Sequence, residues 1–318
     1  MSLPGIAVRV QDMMRKLGNY ILAGRFQAVF VTSLLTLLGL VIPLFSYVFS
    51  GLVPAFVTLR LNAVAGMQVI IGSLLLVSVI TLLVGMNPLV AVALAIGVWT
   101  PIWLCANVLR VTKDQGKCLV TAWACSLVFI ILMHLLVKDL DIWWTDWLKL
   151  WVEQVFDAEQ RTLIEDRLLK VAPLMTAMVA AGLFVNLAAT TLFGRWWQAS
   201  LFYQGGFRKE FHALKLPRVL ILLAAAVFVL LLLGKAPQGS LALDILVLLL
   251  FLYFFQGLAT IHRTVAVRKM ARGWLVGLYL LLLLLPQAIL FLACLGMVDS
   301  ALMQRLTGKR NDKSAGDD

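Results

Sequence analysis

The chain has 318 residues, of which 62% are hydrophobic and only 14% charged, with a formal net charge of +11. Soluble domains average about 25% charged and about 45–50% apolar residues, so this composition, with a mean hydropathy of +0.96, excludes a water-soluble fold. The basic excess flanks long uncharged runs and no basic module stands apart from them, which points to membrane topology and not to nucleic acid.

A helix crossing a hydrocarbon core of about 30 Å needs about 20 mostly apolar residues. Residues 1–26 carry Arg9, Arg15, Lys16 and Arg25 and read as a cytoplasmic amphipathic N-terminus. No small-residue cleavage site closes the next run, so 27–48 is expected to be an uncleaved span and not a signal peptide. In it Ala28, Thr32 and Thr36 recur every fourth position, a stripe that lets an internal helix or a partner subunit approach closely. GLVPAFVTLR, residues 51–60, is too short to cross alone, and Pro54 suggests a short helix or a re-entrant segment. Spans follow over 63–85, 88–109 and 118–138.

The segment 139–170 is acidic and rich in tryptophan. Trp143, Trp144, Trp147 and Trp151 recur at helical spacing with Asp146, Lys149, Glu153 and Gln154 among them, the pattern of a helix lying in the membrane interface. Further spans are expected over 171–193, 217–234, 242–262 and 274–297, followed by a polar tail over 299–318. Between the first two of these, residues 194–218 form a basic, aromatic interfacial loop, with Pro217 opening the next helix. The expected fold is an all-α polytopic transmembrane bundle of about eight full spans plus one short or re-entrant helix. An N-terminal bundle occupies 27–138 and a C-terminal bundle 171–298.

Four basic clusters test this topology: Arg9 to Arg25; Arg110, Lys113 and Lys117; Arg195 to Arg218; and Arg263, Arg268, Lys269 and Arg272. All lie on one side only if 51–60 returns the chain across the membrane, which places the N-terminus in the cytoplasm of a bacterial inner-membrane protein. The same parity sends the tail, with Arg305, Lys309, Arg310 and Lys313, to the opposite side.

Catalysis at membrane depth needs titratable groups there. No Asp, Glu, Lys or Arg occupies the middle of an expected span, although Asp244 comes within one turn of an end. The catalytic signatures GxSxG and HExxH are missing, and so is a Walker-type phosphate loop. Cys105, Cys118, Cys125 and Cys294 form no CxxC pair, so neither a disulfide framework nor a zinc site is indicated. No enzymatic activity and no cofactor is expected. The interior holds neutral polarity instead, and amides in hydrocarbon must find partners in another helix or in a ligand. Trp103, Asn107, Asn186 and Gln256 are the candidate ligand-binding residues, while Gln287 lies beside the helix-breaking Pro286. His262 falls six residues after Gln256, off its helical face and just before Arg263, and reads as an interfacial residue; His134 reads likewise.

Over about residues 20–305 the chain resembles the YybS-like family of bacterial membrane proteins, a domain of unknown function. The resemblance rests on VPAFVTLR, NLAATTLFGRWWQ, GGFRKEFHALKLPR, FFQGLATIHR and LGMVDSALMQR. The N-terminal part of that family is similar to the substrate-binding S subunits of energy-coupling-factor vitamin transporters. That likeness implies a membrane-embedded small-molecule site and partners that include a coupling transmembrane subunit and ATPases. S subunits dock through an Ala-rich stripe on the first helix; here Ala28, Thr32 and Thr36 stand in its place. The resulting expectation is a binding or transport protein in contact with membrane lipids, a small-molecule ligand and a membrane protein partner. A membrane scaffold for a partner complex is the alternative.

Overall fold

The computed structural model describes residues 4–42, 49–157, 161, 164, 168–234, 239–271 and 273–314. The end of the span expected over 27–48, part of the 139–170 segment, Arg272 and the last residues of the tail lie outside the described residues. All regular structure among the described residues is helical. The chain forms two compact units, residues 1–122 with 185–214 and residues 123–184 with 215–318. These units are discontinuous in sequence and do not follow the division between 27–138 and 171–298, because helices α6 (Gln115–Leu136) and α8 (Met175–Phe202) each contribute to both.

In the first unit α1 (Pro4–Ala23) is separated from α2 (Arg25–Val41) by Gly24 in an extended conformation. α3 (Leu52–Arg60) has nine residues, and Leu52 through Leu59 are all buried. At about 14 Å it is too short to span, and it serves as core: Phe56 stacks on Trp197 at 4.4 Å. α4 (Ala63–Leu83) starts where the Asn62 side chain accepts from the Ala65 N–H at 2.8 Å. α5 (Leu89–Thr112) contains a π-helical turn over Ala95–Trp99, one residue before Pro101. Proline donates no backbone hydrogen bond, and at the end of the π turn Thr100 donates both its backbone N–H and its hydroxyl, the latter at 2.7 Å, to the Ala95 carbonyl. The glycine pair before α9 (Gly206–His212) turns the chain through Gly205 at φ +79, a conformation that favours glycine.

The second unit contains α7 (Leu140–Val155), α10 (Arg218–Leu232), α11 (Leu241–Val267), α12 (Gly273–Leu284) and α13 (Ala288–Ser314). α7 is amphipathic as expected: Trp144, Leu148 and Val152 are buried at helical spacing, and the Trp144 Nε1–H donates to the Thr176 hydroxyl at 2.8 Å. Among the described residues, five helices are long and apolar enough to cross a membrane: α4, α5, α6, α11, and α8 with the short 3-10 turn preceding it. The apolar parts of α2, α10, α12 and α13 are shorter. The span expected over 274–297 is two helices, because Pro286 cannot continue the hydrogen-bond ladder.

α12 and α13 form a hairpin against α11. His262 meets Tyr279 and Arg263 meets Asp299, while the chain between Tyr279 and Asp299 turns at Leu285–Gln287. α13 therefore returns toward the end of α11 from which α12 departs. Backbone donors across the turn are engaged locally, Leu285 with Leu281 at 2.8 Å and Ala288 with Leu285 at 2.9 Å. Such engagement is what a turn inside hydrocarbon requires. The sequence boundary at 298 to 299 falls inside α13, so Asp299 belongs to the bundle and not to a polar tail.

Candidate membrane-embedded site

The buried polarity of the second unit is organised by α11. Ser240 caps its start, its side chain accepting from the Leu243 N–H. Its end is a Schellman motif: the Met270 N–H reaches the Val265 carbonyl at 3.0 Å and the Lys269 N–H the Ala266 carbonyl at 3.3 Å. Lys269 sits at φ +50 in the left-handed position that usually holds glycine.

Near the start of α11, Asp244 is fully buried, and its Oδ2 lies 2.8 Å from His134 Nε2 on α6. His134 opens onto a cavity of about 420 Å3 that Lys138, Asp139, Asp141 and Ser240 also line. Farther along, the Gln256 Nε2–H donates to Asp299 Oδ2 at 2.8 Å, and the Arg263 guanidinium is paired with the other carboxylate oxygen. Both charges are largely covered by protein: the Arg263 and Asp299 side chains are 18% and 12% exposed. Close backbone approach makes this possible. A Cβ on Gly257 would run into the Leu292 carbonyl, and one on Gly296 into the Tyr253 carbonyl.

Beside this cluster lies an apolar groove of about 560 Å3 between α11, α12 and α13, lined among others by Thr260, Thr264, Met270, Trp274, Gly277 and Leu295. Its threonine hydroxyls are turned onto their own helix: Thr260 donates to the Gln256 carbonyl at 2.9 Å and Thr264 to the Thr260 carbonyl at 2.8 Å. The groove wall contributed by α12 is loosely held, since α12 has no buried residue. His262, expected to be interfacial, is 3.0 Å from the Tyr279 hydroxyl and ties α12 to α11.

The four residues expected to bind ligand divide between the units, with Trp103, Asn107 and Asn186 in the first and Gln256 in the second. Trp103 Nε1–H donates to the Ala63 carbonyl at 2.8 Å, and Asn107 accepts from Arg110 at 3.2 Å. Asn186 accepts from Thr190 at 3.0 Å. In these bonds each is joined to a residue outside the set of four, and only Gln256 lies in the charged cluster. The stripe of Ala28, Thr32 and Thr36 is buried inside the first unit. Both hydroxyls donate to α2 carbonyls, and the Ser73 hydroxyl of α4 reaches the Val29 carbonyl on the same helix. The unit's own helices thus fill the space that docking through this stripe would need.

Sequence reasoning missed both charged pairs. Asp244 and His134 are 110 residues apart, each placed near a span end where a lone ionisable residue looks solvated. The signal for Asp299 was there, in the small residues Gly296 and Ser300 flanking the lone acid. Residues 30–300 match the model of a family described as a predicted membrane protein, DUF2232. No curated protein and no solved structure matches the chain.

Proposed function

The chain belongs to the DUF2232 family of membrane proteins, and on that premise we propose that it is a non-enzymatic binding or transport protein of the bacterial inner membrane. It holds an amphipathic small molecule or lipid between the helices of its second unit. The observation that carries this reading is the groove of about 560 Å3 whose polar lining is already engaged. Such a surface rewards hydrocarbon and offers a polar substrate little beyond the Trp274 indole N–H. Catalysis is disfavoured because Asp244, Asp299 and Arg263 are each consumed in an internal pair. The N-terminus lies in the cytoplasm, as the basic clusters imply, and the tail lies on the side of Lys269.

Native mass spectrometry of the protein, purified from its host in mild detergent, tests the reading. Retention of a lipid or solute of defined mass is expected; a protein released bare would count against it. A scaffold role is favoured by the exposed Arg208 and Lys209 on α9, which the Arg195–Glu210 pair holds in place with a 2.9 Å hydrogen bond. A stoichiometric protein partner without any small ligand would favour that role.

A further inference from the structure

We infer that the groove between α11, α12 and α13 is a site for an anionic phospholipid, with one acyl chain in the groove and the phosphate at Arg268 and Lys269. This deepens the binding reading above and rests on it. The groove starts at the Schellman end of α11, where Met270 and Val265 line it, and runs inward to Thr260. From Lys269 to Thr260 is about 13 Å of helix rise, the depth of several methylenes and far more than a headgroup needs. The walls are hydrocarbon apart from the two engaged hydroxyls and the Trp274 indole N–H, so an acyl chain fits better than a polar solute.

The charge at its mouth selects the headgroup. Between Asp244 and Asp299 the sequence has no acidic residue. Arg268 and Lys269 are exposed and in no ion pair among the described residues. Arg263 is different, because Asp299 already neutralises it. Two unneutralised cations at the end of an apolar groove complement a phosphodiester on an acyl chain. The left-handed backbone at Lys269 fixes the chain turn that joins both cations to Met270, a residue of the groove lining. Trp274, 65% exposed at the start of α12, supplies an indole at the same level.

The test uses delipidated full-length protein in detergent, incubated with phosphatidylglycerol or phosphatidylcholine of identical acyl chains and read by native mass spectrometry. Phosphatidylglycerol adducts should dominate, by about fivefold for each of the two cations. Lys269→Gly suits the left-handed backbone, so the helix end persists while the preference falls by about fivefold. Gly277 lines the groove and a Cβ there would meet nothing within 4 Å, so Gly277→Leu adds side-chain bulk from that wall. Adducts of both lipids should then drop by about tenfold or more. Equal retention of the two lipids by the wild type would overturn the headgroup assignment. Unchanged adducts on Gly277→Leu would overturn the groove while leaving lipid binding elsewhere intact. A wild type that keeps neither lipid would overturn the binding reading itself.

Discussion

Gly257→Ala tests the crossing on which the Gln256–Asp299–Arg263 cluster depends. The new methyl would meet the oxygen, carbonyl carbon and Cα of Leu292, all backbone atoms that cannot rotate aside. α11 and α13 must therefore part, by on the order of 1 Å. That shift stretches the 2.8 Å bond from Gln256 to Asp299 beyond useful hydrogen-bond length. Overpacking costs about 1–3 kcal/mol and the lost charge-assisted bond about 1.5–3 kcal/mol. The better helix propensity of alanine returns about 0.5–1 kcal/mol. The net destabilisation is about 2–5 kcal/mol, measured by reversible unfolding in mixed micelles. Gly277→Ala is the control: with nothing within 4 Å, it should be neutral or stabilising by about 0.5–1 kcal/mol. If Gly257→Ala unfolds like that control, the backbones do not touch and the cluster is not built on their contact.

Four other outcomes are expected. Arg263→Met and Asp299→Asn should each destabilise by about 2–4 kcal/mol and show a coupling of about 1.5–3 kcal/mol in a double-mutant cycle; strict additivity would deny the ion pair. Trp144→Phe and Thr176→Val should each cost about 1–2 kcal/mol, and the double variant little more than either, because both remove one hydrogen bond. His134→Ala strands Asp244 and should cost about 3–5 kcal/mol, whereas His134→Gln, which can still donate, should keep most of the stability; equal losses would mean that the 2.8 Å contact contributes nothing. Topology reporters fused after Met270 and after Ser314 should respond alike, and opposite responses would show that the α12–α13 hairpin crosses the membrane.

Membrane class, helix content and most helix starts were legible in the sequence because they depend on local rules. The helical spacing of Trp143, Trp144, Trp147 and Trp151 pointed to the amphipathic helix α7, of whose tryptophans Trp144 is the buried one. What failed were inferences from length. Residues 274–297 are apolar enough to span, yet one proline divides them into α12 and α13. Residues 51–60 were rightly read as short, but composition does not tell a lipid-facing half-helix from one buried on every face. The site was hardest. Amides such as Asn107 and Asn186 draw attention in a sequence because they sit in apolar runs, and each accepts a local bond, from i+3 and i+4. The charges that build the second unit sit at or just beyond the ends of the expected spans, where sequence alone reads them as wet; burial there comes from pairing His134 with Asp244 and Arg263 with Asp299, between different helices.

The hairpin also resolves a conflict internal to the charge pattern. Counting 274–297 as a crossing sends Arg305, Lys309, Arg310 and Lys313 to the side opposite every other basic cluster, against the retention of Lys and Arg on one face. The 12 residues of α12 rise only about 18 Å, short of the roughly 30 Å a crossing needs. The pairing of Arg263 with Asp299 then brings α13 back level with the end of α11. A returning hairpin would put the tail on the side of Arg268 and Lys269 and remove the tail from that conflict. The Arg263–Asp299 pair also has a structural role here, because α12 buries no residue to hold the hairpin. The glycine crossing, the Arg263–Asp299 pair and the His262–Tyr279 contact are what fix it against α11. The loosely packed α12 between those fixings leaves the apolar groove open to the surrounding lipid.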